Sequence, residues 1–128
     1  MSKETFAKGR KIREEVLGPE RVAKALDRAD SFNRDFQEIL TEYCWGACWG
    51  REGLSRKQRS LLNLGMLAAL NRPHEFELHF RAAIGNGLSK DELKDALIQI
   101  AIYCGVPAGV EVHRIAGKVL AEPGIVLA

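Results

Sequence analysis

The stretch that decides the fold begins Ser55-Arg56-Lys57-Gln58-Arg59-Ser60 and continues into an apolar run from Leu61 to Leu70. It resumes as Pro73-His74-Glu75-Phe76-Glu77-Leu78-His79-Phe80-Arg81 and, beyond Gly87, closes on Tyr103-Cys104-Gly105-Val106-Pro107. Ser55 with Gln58, and Ser89 with Glu92, have capping-box spacing: each hydroxyl can take an orphan amide while the side chain three residues on reaches back. Pro73 suits a first helical turn, where its missing N–H costs nothing. Gly85-Asn86-Gly87 supplies residues tolerant of positive φ for a helix stop. The stretch therefore parses into three helices with short links.

Arg72, Glu75 and His79 stand three, four and seven residues apart, so a cation, a carboxylate and an imidazole share one helix face. The preceding run has Asn63 as its one polar interruption. Such a helix is expected to be buried nearly all round, with the charged face of the next helix set against a dry core.

Working outward, 128 residues make one domain by size, spanning 1–128, with the motif-bearing core at about 30–121. Hydrophobic residues are 46% and charged residues 28%, and the net charge of +2 is spread along the chain, which gives nucleic-acid binding little support. No run approaches the roughly 20 apolar residues of a membrane span. Met1-Ser2-Lys3-Glu4-Thr5 is polar and lacks the apolar core of a secretory signal, so a cytoplasmic location is the default. Three cysteines do not make a complete disulfide framework. Cys44 and Cys48 lie one turn apart as C-x-x-x-C, without a zinc-type partner set, and are read as small buried apolar side chains; no metal site is expected.

Thr5 to Leu17 reads as a helix turning Phe6, Ile12, Val16 and Leu17 inward, ended by Leu17-Gly18-Pro19. Glu20 to Ala29 suits a short helix or turn. Ser31 is placed to cap a helix whose stripe Phe32, Phe36, Ile39, Leu40 and Tyr43 reads as core. Trp45 and Trp49 follow, one turn apart, either as packing or as a wall on which a planar ring could stack. A last helix covers about Ala108 to Ala121, where His113 reads as exposed or at an interface, and the apolar tail Pro123 to Ala128 suits docking on a neighbouring subunit. The chain is all α, with about six helices. Its helices from Leu61 to Leu70 and from Leu93 to Cys104 are apolar over more than one face, which favours subunit association.

The segments Tyr43-Cys44-Trp45-Gly46-Ala47-Cys48-Trp49-Gly50-Arg51-Glu52-Gly53-Leu54, Arg59-Ser60-Leu61-Leu62, Glu75-Phe76-Glu77-Leu78-His79-Phe80-Arg81 and Tyr103-Cys104-Gly105-Val106-Pro107-Ala108 resemble the carboxymuconolactone decarboxylase family. The resemblance runs from about Gly9 to Leu120. It implies an alkylhydroperoxidase D-like helical domain assembling into ring-like homo-oligomers, trimers or hexamers. It also implies cofactor-independent loss of carbon dioxide from a γ-carboxymuconolactone-like acid in aromatic compound catabolism, the β-ketoadipate pathway. No pyridoxal, thiamine or metal sink is needed there, because the conjugated lactone carbonyl accepts the electron pair. Arg51, Arg59 and Arg81 become candidates for gripping substrate carboxylates through a planar fork. His79 becomes the candidate for stabilising the lactone oxygen or returning a proton, with Glu75 holding its other ring nitrogen. Trp45 and Trp49 become candidate pocket walls.

Two other readings stand beside this one. The alkylhydroperoxidase D-like branch places C-x-x-C ahead of the helix histidine, and here those positions are Arg72 and Glu75. Thiol peroxidase chemistry would have to be rebuilt from Cys44, Cys48 or Cys104. A non-catalytic oligomeric ligand-binding protein is the third reading, since fold does not fix function.

Overall fold

A computed structural model describes residues 2–128. Among them are seven α-helices, one π-helical segment and no strand, so the chain is all α, with one helix more than the sequence spacing suggests. It divides into two compact units, one ending at Leu54 and the other running from Ser55 to Ala128. None of its helices is long and apolar enough to cross a membrane, among the described residues.

The first unit holds α1 (Lys3–Leu17), α2 (Pro19–Asp27) and α3 (Arg34–Ile39), the last passing directly into a nine-residue π-helical segment, Leu40–Cys48. Ser2 caps α1 by accepting from the Thr5 amide, and Pro19 opens α2 at its first position. Ile12, Val16, Val22, Trp45 and Trp49 are buried here. The α1 helix packs mainly on the π segment, and Gly9 permits it: a Cβ at that position would lie 2.0 Å from the Thr41 carbonyl oxygen. Buried Arg13 is held by neutral partners, Nη1 donating to Gln37 Oε1 at 3.0 Å and to Thr41 Oγ1 at 3.3 Å.

Several sequence expectations fail in this unit. Ser31 does not cap α3. Asn33 stands at the N-cap position without a side-chain capping bond, after a turn in which Asp30 Oδ1 accepts from the amides of Phe32 and Asn33 and Asn33 Oδ1 accepts from the Asp30 amide. The wide-turn segment is not foreseen either. At its start the Thr41 hydroxyl donates to the Gln37 carbonyl at 2.7 Å, a back-bond that competes with the helical ladder, and at its end Trp49 N–H reaches Cys44 O five residues back at 2.9 Å. The stripe taken for core lies open: Phe32 is 95% exposed, and Phe36, Ile39 and Tyr43 are all more than half exposed. Cys48 is exposed rather than buried. Periodicity had said which side chains share a face, but not whether the monomer has anything to lay against it.

The second unit holds α4 (Arg56–Ala69), α5 (Pro73–Gly85), α6 (Lys90–Cys104) and α7 (Val106–Leu120). Both capping boxes form: Gln58 N–H donates to Ser55 Oγ at 3.1 Å with the return bond at 2.9 Å, and Glu92 and Ser89 repeat the same two distances. Gly105, at φ 100°, turns the chain between α6 and α7 in a conformation that an L side chain rarely adopts. The core gathers Leu64, Phe76, Phe80, Ala83, Leu88, Leu93, Leu97, Ile100, Val112, Ile115 and Val119. Phe76 and Phe80 are each 1% exposed and stack with centroids 6.2 Å apart. Burying each contributes about 1.5–3 kcal/mol.

Here too the apolar run is less covered than expected. Leu64 is fully buried, but Leu62, Met66 and Leu70 are at least half exposed. Outward-facing Ile98, Ile102, Tyr103, Val106 and Val110 continue that pattern on α6 and α7. The face Arg72–Glu75–His79 is likewise not set against a dry core, since Arg72 and Glu75 are exposed and only His79 is half-buried.

Candidate active site

Packing of α4 on α5 brings His79 to the one polar residue of the apolar run. Asn63 Nδ2 lies 3.4 Å from His79 Nδ1, sixteen residues away in sequence. Arg59 stands one turn before Asn63 on α4, and Glu75 one turn before His79 on α5, so each helix adds a charged residue to the face on which these two meet. Burial pulls the His79 pKa below the ordinary histidine value, and the negative charge of Glu75 opposes that shift without reversing it. The result is an imidazole kept neutral near pH 7 beside a carboxylate. A neutral ring can donate from one nitrogen and accept at the other. Asn63 is the residue that sequence reasoning passed over; its signal was an amide standing alone among apolar neighbours.

Arg81 has a different setting. Two residues past His79 it points roughly 200° around the helix. There its Nε donates to Glu122 Oε1 at 2.9 Å and its Nη2 to Glu122 Oε2 at 2.7 Å, while Nη2 also reaches Glu77 at 3.2 Å. Lys118 Nζ donates to the other Glu77 oxygen at 3.0 Å. The pairing of Glu77 with Arg81 follows the four-residue spacing, but Glu122 was not expected. With its fork filled by two carboxylates, Arg81 is a tie between α5 and the segment after α7, not a cation waiting for a substrate. Arg72 donates to the Leu70 carbonyl at 3.3 Å.

The remaining candidates are placed as follows. Arg59 is half-buried on α4. Arg51 is exposed in the link that follows the π segment, its amide donating to Cys48 O at 3.1 Å. Trp45 and Trp49 are buried, 3% and 7% exposed, with ring centroids 5.0 Å apart and planes tilted by 30°. His113 is exposed, as expected, and its Nδ1–H donates to Gly109 O at 2.7 Å. It also lines an apolar cavity of about 320 Å³ among α5, α6, α7 and Leu127, whose walls do not include His79. The cysteines are free thiols; burial pushes the Cys44 thiol up, with Cys48 adding to the rise and Arg13 opposing it.

The chain is thus a small all-helical protein with a half-buried histidine set beside an amide on the neighbouring helix. The family model described as carboxymuconolactone decarboxylase family matches residues 34–117, and the chain belongs to that family. It is 38% identical over 120 residues to 4-carboxymuconolactone decarboxylase of Acinetobacter baylyi, covering 94% of this chain and 90% of that one. It is 44% identical over 115 residues to nitrosuccinic acid decarboxylase of Metarhizium robertsii, covering 90% and 80%. An uncharacterised 15.0 kDa protein of Paracoccus denitrificans is 33% identical over 86 residues, 65% of this chain and 63% of that protein. Carboxy-lyase, the reaction class of the two named relatives, is the class in which the chain stands.

Proposed function

We propose that this protein removes carbon dioxide, without a cofactor, from an unsaturated lactone acid of the γ-carboxymuconolactone type, in the breakdown of aromatic compounds. The observation that carries the reading is likeness over nearly the whole chain to two decarboxylases whose names specify different acids. A carboxymuconolactone and a nitrosuccinic acid share one chemical property. Each has an oxygen-bearing acceptor, a conjugated lactone carbonyl or a nitro group, able to receive the electron pair that a departing carboxylate leaves behind. The substrate class is therefore an acid that carries its own electron sink.

In this reading Arg51 and Arg59 hold substrate carboxylates, because a guanidinium stays charged and binds in two-point fashion. His79 faces the reacting centre, stabilising charge on the acceptor oxygen or returning a proton to carbon, and Glu75 tunes it electrostatically. Acid–base help of this kind is typically worth about 10²–10⁴-fold. The second reading, nitro-acid decarboxylation, is favoured by the 44% identity to the fungal relative. Open apolar residues on α6 and α7 support self-association, and a ring of three or six copies is the assembly we propose; sedimentation velocity measures it.

A carbon dioxide release screen tests the function. γ-Carboxymuconolactone is expected to be turned over, nitrosuccinate to be turned over more slowly, and a saturated lactone acid to be inert. His79→Ala is expected to stay folded and lose most of kcat, and Arg51→Ala to act chiefly on KM. No release from any activated acid would overturn the proposal, as would full activity of His79→Ala on the best substrate.

A further inference from the structure

Resting on the decarboxylase reading, we propose that Asn63 is a positioning residue that holds His79 in the Nε2–H tautomer, so that the ring meets substrate as a hydrogen-bond donor rather than as a base. The amide nitrogen of Asn63 lies 3.4 Å from His79 Nδ1. An amide nitrogen has hydrogens to give and no lone pair to offer, so Nδ1 must be the acceptor of that contact. A neutral imidazole carries one proton, which is then on Nε2. The contact joins two helices in one unit, and it gives the lone amide of the apolar run the partner that a half-buried polar group needs.

Electrostatics at the ring favour the same neutral donor. Burial disfavours a second proton, and Glu75 on the same helix is the carboxylate opposing it. On α4 the nearest charge along the helix is Arg59, one turn before Asn63. The other helix packed on α5, α7, carries Glu111 bonded to Arg114, His113 bonded to the Gly109 carbonyl, and Lys118 bonded to Glu77 of α5.

The donor role assigns each atom in the step. The carbon–carbon bond to the leaving carboxylate breaks, carbon dioxide departs, and the electron pair moves to the acceptor oxygen. That oxygen accepts from Nε2–H, and the proton stays on nitrogen. The carbon then takes its proton from water, and the hydroxide left behind combines with carbon dioxide as bicarbonate. A single preorganised donor aimed at developing negative charge is worth about 10²–10³-fold.

The test joins ¹⁵N-histidine spectra with pH–rate profiles of the whole protein. The wild-type spectrum, assigned with His79→Gln, is expected to show His79 protonated at Nε2 near pH 7. Wild-type kcat is expected to stay level as pH falls through the histidine range, because the imidazolium still donates from Nε2, whereas a base would lose activity there. Asn63→Leu should lower kcat about 10–100-fold and leave KM within about twofold. Asn63→Asp should raise the ring's pKa and pair Nδ1–H with the new carboxylate, so that activity persists while the ring holds both protons and falls as pH rises through that raised pKa, where the proton that remains sits on Nδ1. A wild-type spectrum showing Nδ1–H, or a wild-type profile retained by Asn63→Asp, overturns this proposal. If His79→Ala is inactive in that case, the decarboxylase reading still stands, whereas a fully active His79→Ala removes both.

Discussion

Arg81 and Glu122, 41 residues apart, meet in a two-point ion pair with bonds of 2.9 and 2.7 Å, and Glu77 closes on the same guanidinium at 3.2 Å. The pair fixes the segment after α7 to α5. It also explains why an arginine two residues past His79 is occupied before any substrate arrives.

Breaking that pair should loosen the C-terminal segment without touching chemistry. Glu122→Gln is expected to lower the thermal midpoint by about 2–4 °C, to do so less in high salt, and to leave kcat unchanged. Glu122 and Glu77 both titrate below the usual carboxylate range, the first held down by Arg81 and the second chiefly by Lys118. Their contribution is present above about pH 4.3 and is lost as pH falls through the lowered values. Thermal melts at pH 7 and pH 3.5, with and without salt, measure both effects; a large loss of kcat in Glu122→Gln would return Arg81 to the substrate site.

His79 gives a second pH signature, in stability. Its folded pKa lies below the ordinary value, so as pH falls the unfolded chain takes the proton first. The associated stability is complete above about pH 6.5 and drains away as pH drops from there through the lowered folded pKa. Urea midpoints of wild type and His79→Gln at pH 7.5 and 5.5 should diverge in slope, wild type losing more on acidification. Parallel slopes would mean that the ring is as easily protonated folded as unfolded.

Gly9 should be intolerant of even a methyl group. A Cβ there meets the Thr41 carbonyl oxygen at 2.0 Å and Gly46 N at 2.8 Å, both backbone atoms that cannot rotate aside. Gly9→Ala is expected to cost at least about 1–3 kcal/mol as α1 is pushed off the π segment. Gly117→Ala, with nothing within 4 Å of its added carbon, serves as the control and should be neutral or stabilising. Equal midpoints for the two variants would show that α1 can shift freely.

Local chemistry set the parts that the sequence determined by itself. The capping boxes at Ser55 and Ser89, Pro73 at the start of α5 and the stop around Gly85 to Gly87 each depend on a few neighbouring residues, so helix type and most boundaries could be read directly. The face shared by Glu75 and His79, and the pairing of Glu77 with Arg81, follow from helical spacing alone. Only the tertiary structure decided what those faces meet. It left Phe32 in the open, filled the fork of Arg81 with Glu122, and brought Asn63 to His79 across two packed helices. Spacing along a helix fixes an angle about its axis, whereas partners far apart in sequence depend on how helices dock, which is set by the sum of many weak contacts and not by any short run of residues.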